Sequence, residues 1–68
     1  MLHYLTIERQ HNQNSSTFVY IGCYDTQAKL QKALTQITSA LLLGGNQIIS
    51  IKPYTRPDNA DTWYVTYK

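Results

Sequence analysis

The stretch Thr17 to Gly45, TFVYIGCYDTQAKLQKALTQITSALLLGG, decides the fold, because its apolar period changes partway along. From Thr17 to Tyr24 the residues are β-branched or aromatic and alternate, with Val19, Ile21 and Cys23 on one face and Phe18, Tyr20 and Tyr24 on the other. That is a strand pattern. From Asp25 onward, Leu30, Ala33, Leu34, Ile37 and Leu41 recur at spacings of three and four, which makes one helical stripe. Lys29, Gln31, Lys32, Thr35, Gln36 and Ser39 lie off it. Asp25 reads as the N-cap, since its carboxylate can accept from unpaired backbone N–H groups. Gly44-Gly45 reads as the stop, supplying a left-handed C-cap. The expected helix runs from Asp25 to Leu43.

Working outward, Leu2 to Arg9 reads as a strand, followed by the polar stretch Gln10 to Ser16 as a loop. A short loop between two strands favours an antiparallel hairpin. Beyond the helix, Ile48 to Pro53 reads as a third strand, Tyr54 to Asp61 as a turn, and Thr62 to Lys68 as a fourth strand. The expected fold is α+β, with order ββαββ: a four-stranded, mainly antiparallel sheet and one helix on one face. The 68 residues make one small domain.

Alternation assigns Leu5, Ile7, Val19, Ile21, Cys23, Ile49 and Ile51 to the face under the helix. In the last strand, Trp63 and Val65 form the more apolar set and are placed inside. One helix covers one face only. The other is left with Tyr4, Phe18, Tyr20 and Tyr64, rimmed by Lys52 and Lys68. Three readings of this face stand side by side. Aromatic residues favour strands whatever their role. Tyr is enriched at protein interfaces. Aromatic sheets also stack unpaired bases.

Composition narrows the classes. The formal charge is +2 and charged residues are 15% of the chain, with no basic run, so nucleic-acid contact is permitted rather than demanded. Cys23 is the lone cysteine, which excludes an internal disulfide and fits a reducing, cytoplasmic setting. His3, His11 and Cys23 are too few for a four-ligand structural zinc site. Neither a signal peptide nor an apolar run of membrane-spanning length is visible, so no membrane association is expected. Asn14-Ser15-Ser16 matches a glycosylation sequon, read as chance without such a signal.

Nothing arranges itself as a catalyst, and no cofactor is expected. Glu8, Asp25, Asp58 and Asp61 are not paired by spacing, and Asp25 is assigned to capping. Cys23, with His3 as its base, is the one nucleophile candidate, but alternation turns it inward. His11 is read as solvated in its polar loop. Gly44-Gly45 follows a helix, whereas phosphate loops precede one.

The stretch Leu43 to Pro53, Leu-Gly-Gly-Asn-Gln-Ile-Ile-Ser-Ile-Lys-Pro, with Tyr24-Asp25 at the strand-to-helix junction, resembles the CpcD-like linker domain of phycobilisomes. The resemblance covers roughly Thr17 to Pro53. It implies a domain without a cofactor that plugs into a phycobiliprotein disc and caps or joins rods. The chain departs from that pattern in its longer helix, an extra residue after the glycine pair, the tail from Arg56 to Lys68 and its sparse basic residues. No functional residue is carried over.

The expected function is that of a small non-enzymatic protein-binding module. Its partner would be a larger protein or complex, or a second copy in a homodimer, met through Tyr4, Phe18, Tyr20, Lys52 and Tyr64. It is linker-like, or inhibitor-like in the manner of a phage-encoded blocker of a host complex. The alternative is a single-stranded nucleic-acid-binding domain using the same face.

Overall fold

The computed structural model describes residues 2–55, 57 and 60–68. Its elements run β1 (His3–Asn12), β2 (Ser15–Tyr24), α1 (Gln27–Leu43), β3 (Ile48–Thr55) and β4 (Asp61–Tyr67). The ββαββ order and the α+β class are as the sequence indicates. The sheet has the order β2-β1-β4-β3. β1–β2 and β3–β4 are antiparallel hairpins, and the central β1–β4 pair is parallel. The sheet is therefore mixed rather than mainly antiparallel. The cause lies in the connection. One helix reverses the chain between the hairpins, so β3 runs with β2 and β4 with β1. Whenever β1 and β4 meet at the centre they must be parallel.

The first hairpin is longer than its polar sequence suggests. Its strands continue through Asn12 and resume at Ser15, leaving only Gln13-Asn14 as the turn. Local side-chain hydrogen bonds support these exposed residues. The Asn14 N–H donates to Asn12 Oδ1 at 2.8 Å, and His11 Nε2 meets Thr17 Oγ1 at 2.8 Å. His11 is thus an exposed strand residue with a cross-strand partner, not a solvated loop residue.

The N-cap of helix α1 lies one residue later than expected. Thr26, in extended backbone, is the N-cap, and its Oγ1 accepts from the Lys29 N–H at 3.2 Å. Asp25 instead pairs with Lys29 across one turn, at 2.9 Å. At the far end the Gly45 N–H donates to the Leu42 carbonyl and the Asn46 N–H to the Leu41 carbonyl. This is the Schellman arrangement, and it needs the left-handed backbone that Gly45 adopts at φ 83°. The stripe is where the periodicity places it. Leu30 and Leu34 are buried, with Ala33, Ile37 and Leu41 packed beside them.

The core forms between this stripe and the helix-facing side of the sheet. Leu5, Leu30 and Val65 are fully buried and Leu34 nearly so, while Ile7, Ile21, Tyr24, Ile48 and Trp63 pack around them. Trp63 and Val65 therefore face inward, as expected. Two bulges revise the rest. In β2, Leu5 pairs with Gly22 and Thr6 with Tyr20, leaving Ile21 as the extra residue. An extra residue inverts the alternation beyond it. Tyr24 consequently turns in beside His3, and Cys23 turns out to pair with Tyr4. The inward placement of Cys23 is corrected accordingly. Gly22 gives Tyr24 room, since a Cβ there would lie 3.0 Å from the Tyr24 hydroxyl. In β3 the extra residue is Ile49, so Ile48 joins the core. Ile49 and Ile51, expected inside, are 44% and 42% exposed on the edge strand. Val19, also expected inside, keeps its helix-side position but is half-exposed at the other edge.

Candidate functional site: the open sheet face

Cross-strand partners share a face, so the registers place the proposed residues without ambiguity. Cys23, Tyr20 and Phe18 of β2 lie opposite Tyr4, Thr6 and Glu8 of β1. Those lie opposite Thr62, Tyr64 and Thr66 of β4. Tyr54, Lys52 and Ser50 of β3 complete the rows. Tyr4, Phe18, Tyr20, Lys52 and Tyr64 are all brought onto the face away from the helix stripe. Tyr54 joins them. The sequence reading missed it by assigning it to a turn, whereas β3 continues to Thr55. The available signal was parity, for Tyr54 stands two residues from Lys52. Of the rest of that turn, Arg56, Asp58 and Asn59 lie outside the described residues.

The rings form two contacts. Tyr4 and Tyr20 have centroids 6.4 Å apart at 47°, and Phe18 meets Tyr64 edge-on at 6.3 Å and 86°. Both fall in the favourable range for tilted aromatic pairs. Phe18, Tyr20 and Tyr54 are nevertheless 58–60% exposed. Partial desolvation of the hydroxyl, then the charges that Cys23, Tyr4 and Tyr24 would carry on ionisation, hold the Tyr20 phenol above its usual pKa. Tyr20 is therefore a hydrogen-bonding hydroxyl at neutral pH.

Two shallow grooves of about 430 Å³ each cross this face, sharing Tyr54 and Tyr64 as their common wall. One contains Glu8 and Lys52, and the other runs past Tyr4 and Tyr20. The Thr66 hydroxyl donates to Glu8 Oε1 at 3.1 Å and fixes that carboxylate. The groove floor is thus amphipathic, with one anion and one cation offsetting each other.

The nucleophile candidate is not assembled. His3 pairs with Tyr24 on the helix side, while Cys23 stands on the open side. His3 is buried, with Nδ1 3.4 Å from Asp61 Oδ2. That places it at the end of the parallel strand pair, in contact with β4 rather than with the thiol. Among the described residues, no three His, Cys, Asp or Glu side chains gather into a metal-binding group. No helix among the described residues is long and apolar enough to cross a membrane.

No family model, curated protein or solved structure gives a significant match to the chain.

Proposed function

We propose that the chain is a non-enzymatic protein-binding module that docks on a larger protein through the open aromatic face. The observation that carries this reading is the gathering of Tyr4, Phe18, Tyr20, Tyr54 and Tyr64 on a face that no helix or second sheet covers among the described residues. Tyr supplies contact area at low entropic cost and keeps a hydroxyl for hydrogen bonding, which suits the centre of an interface. Thr6, Ser50 and Thr66 between the rings add small polar contacts. Such a surface would serve a cap or linker role, of the kind the CpcD-like resemblance implies, or an inhibitor role. Charge favours a protein over a nucleic acid. Single-strand binders track phosphates along a basic groove, and here Glu8 shares the groove with Lys52.

The experiment is photo-crosslinking in extract from the source organism. A benzoylphenylalanine replacing Tyr54 should capture a discrete protein, and one replacing Gln36 on the outer helix should not. The capture should be lost in the Lys52→Glu, Tyr64→Ser variant. Equal capture from both positions would overturn the reading. Salt-sensitive binding of a single-stranded oligonucleotide to the same face would replace it with the nucleic-acid alternative.

A further inference from the structure

The two edges of the sheet are built differently, and from that difference we infer that the β2 edge pairs with β2 of a second copy of this chain. The product is a two-fold dimer with one continuous sheet. Strand β3 carries the usual protections of an edge. Lys52 adds a charge, Pro53 offers no N–H, and the extra residue at Ile49 breaks the ladder. Strand β2, ten residues long, has no charged residue and no proline. From Ser15 to Tyr20, ahead of the bulge, every residue is exposed. Its sequence Thr17-Phe18-Val19-Tyr20-Ile21 has strong strand preference.

The same contrast selects the occupant. A neutral edge meets its own copy without like-charge opposition. Pairing of β2 with the β3 edge of another molecule would be head-to-tail and would propagate into a filament. Lys52 and Pro53 block that route, which leaves the closed β2–β2 pair. The core gives a reason for pairing at all. Its buried cluster among the described residues is only Leu5, Leu30, Leu34 and Val65, and chains this short lean on association for stability.

Symmetry restricts the register. Residues facing each other across the axis must share a face, so the axis passes through a residue and not between two. With Val19 on the axis, the two Val19 side chains meet on the helix side. Phe18 then lies opposite Tyr20 of the partner subunit, twice, on the open face. Aromatic cross-strand pairs of this kind stabilise sheets. Both aromatic faces then lie on one side of the joined sheet. The Val19 side chain projects from the opposite face, so substituting it probes the pairing without altering a docking residue.

Sedimentation equilibrium from micromolar to millimolar concentration tests it. The parent should pass from the 7.8 kDa of one chain to twice that mass and no further. Val19→Lys sets two ammonium groups on the axis and should raise the dissociation midpoint at least about tenfold. Ile51→Lys, comparably exposed on the β3 edge, should leave it unchanged. If Val19→Lys does not fold, amide exchange of the parent decides. Exchange across Ser15–Tyr20 should slow with concentration, and that of β3 should not. A parent that stays monomeric, grows beyond a dimer, shows no such slowing, or responds equally to both lysines overturns the inference.

Discussion

The two faces of the sheet use the same four strands but assign their apolar side chains to different work. The helix side contains aliphatic residues that vanish from solvent: Leu5 and Val65 are 0% exposed under Leu30. The open side contains rings that stay wet, with Tyr20 at 60% and Phe18 at 58% exposed. Aliphatic groups stabilise by leaving water, whereas a Tyr keeps a polar end that tolerates water until a partner arrives. Stability and recognition are thus divided by strand parity. The β2 bulge sets that division, because it decides on which side Cys23 and Tyr24 fall.

Substitutions sharpen the contrast. The largest effect is expected from Leu5→Ala or Leu34→Ala, each costing about 2–5 kcal/mol in chemical denaturation. Phe18→Ala, despite removing a larger side chain, should cost less than about 1 kcal/mol under monomeric conditions. Equal losses at Leu5 and Phe18 would erase the distinction between the faces. Next in size is Gly45→Ala. A left-handed position costs a non-glycine residue about 1–2 kcal/mol, read as a fall in the denaturation midpoint.

Thr26→Ala should cost about 1 kcal/mol through loss of the N-cap, and Asp25→Ala distinctly less, measured in the same denaturation series. The reverse order would restore Asp25 as the cap. The smallest effect concerns pH. The hydrogen bond and charge of Lys29 hold the Asp25 carboxyl below its ordinary value. A lowered folded-state pKa stabilises above the unfolded value and loses that stability as pH falls through the folded one. Stability should therefore slope downward below about pH 4. Lys29→Met should flatten this slope slightly, given that both groups are exposed.

Much of the fold was legible because its signals are periodic. The α1 stripe and the inward Trp63 and Val65 follow from spacing alone. The parity of Tyr4, Phe18 and Tyr20 was legible too, since Phe18 and Tyr20 precede the β2 bulge and Tyr4 lies on β1, which has no extra residue there. What escaped was local or combinatorial. A single Gly22 in a strand does not announce a bulge, and one unannounced residue moved Cys23 to the opposite face. The polar ends of the first hairpin lacked strand-forming residues, so their extension rests on side-chain hydrogen bonds such as His11 to Thr17. The parallel central pair depends on which strand of each hairpin lies innermost, a choice that no local pattern records.

Cys23 reports on the bulge directly. It is exposed on the open face opposite Tyr4, and Tyr24 takes the inward position in its place. Native-state labelling of this single thiol, compared with labelling in denaturant, tests the face assignment on which the docking surface depends. The predicted result is a native rate within about tenfold of the denatured rate at the same pH, with Cys23→Ser changing stability by less than about 0.5 kcal/mol. Labelling that proceeds only through unfolding, with a substantial loss in Cys23→Ser, would return the thiol to the core and remove the bulge from β2.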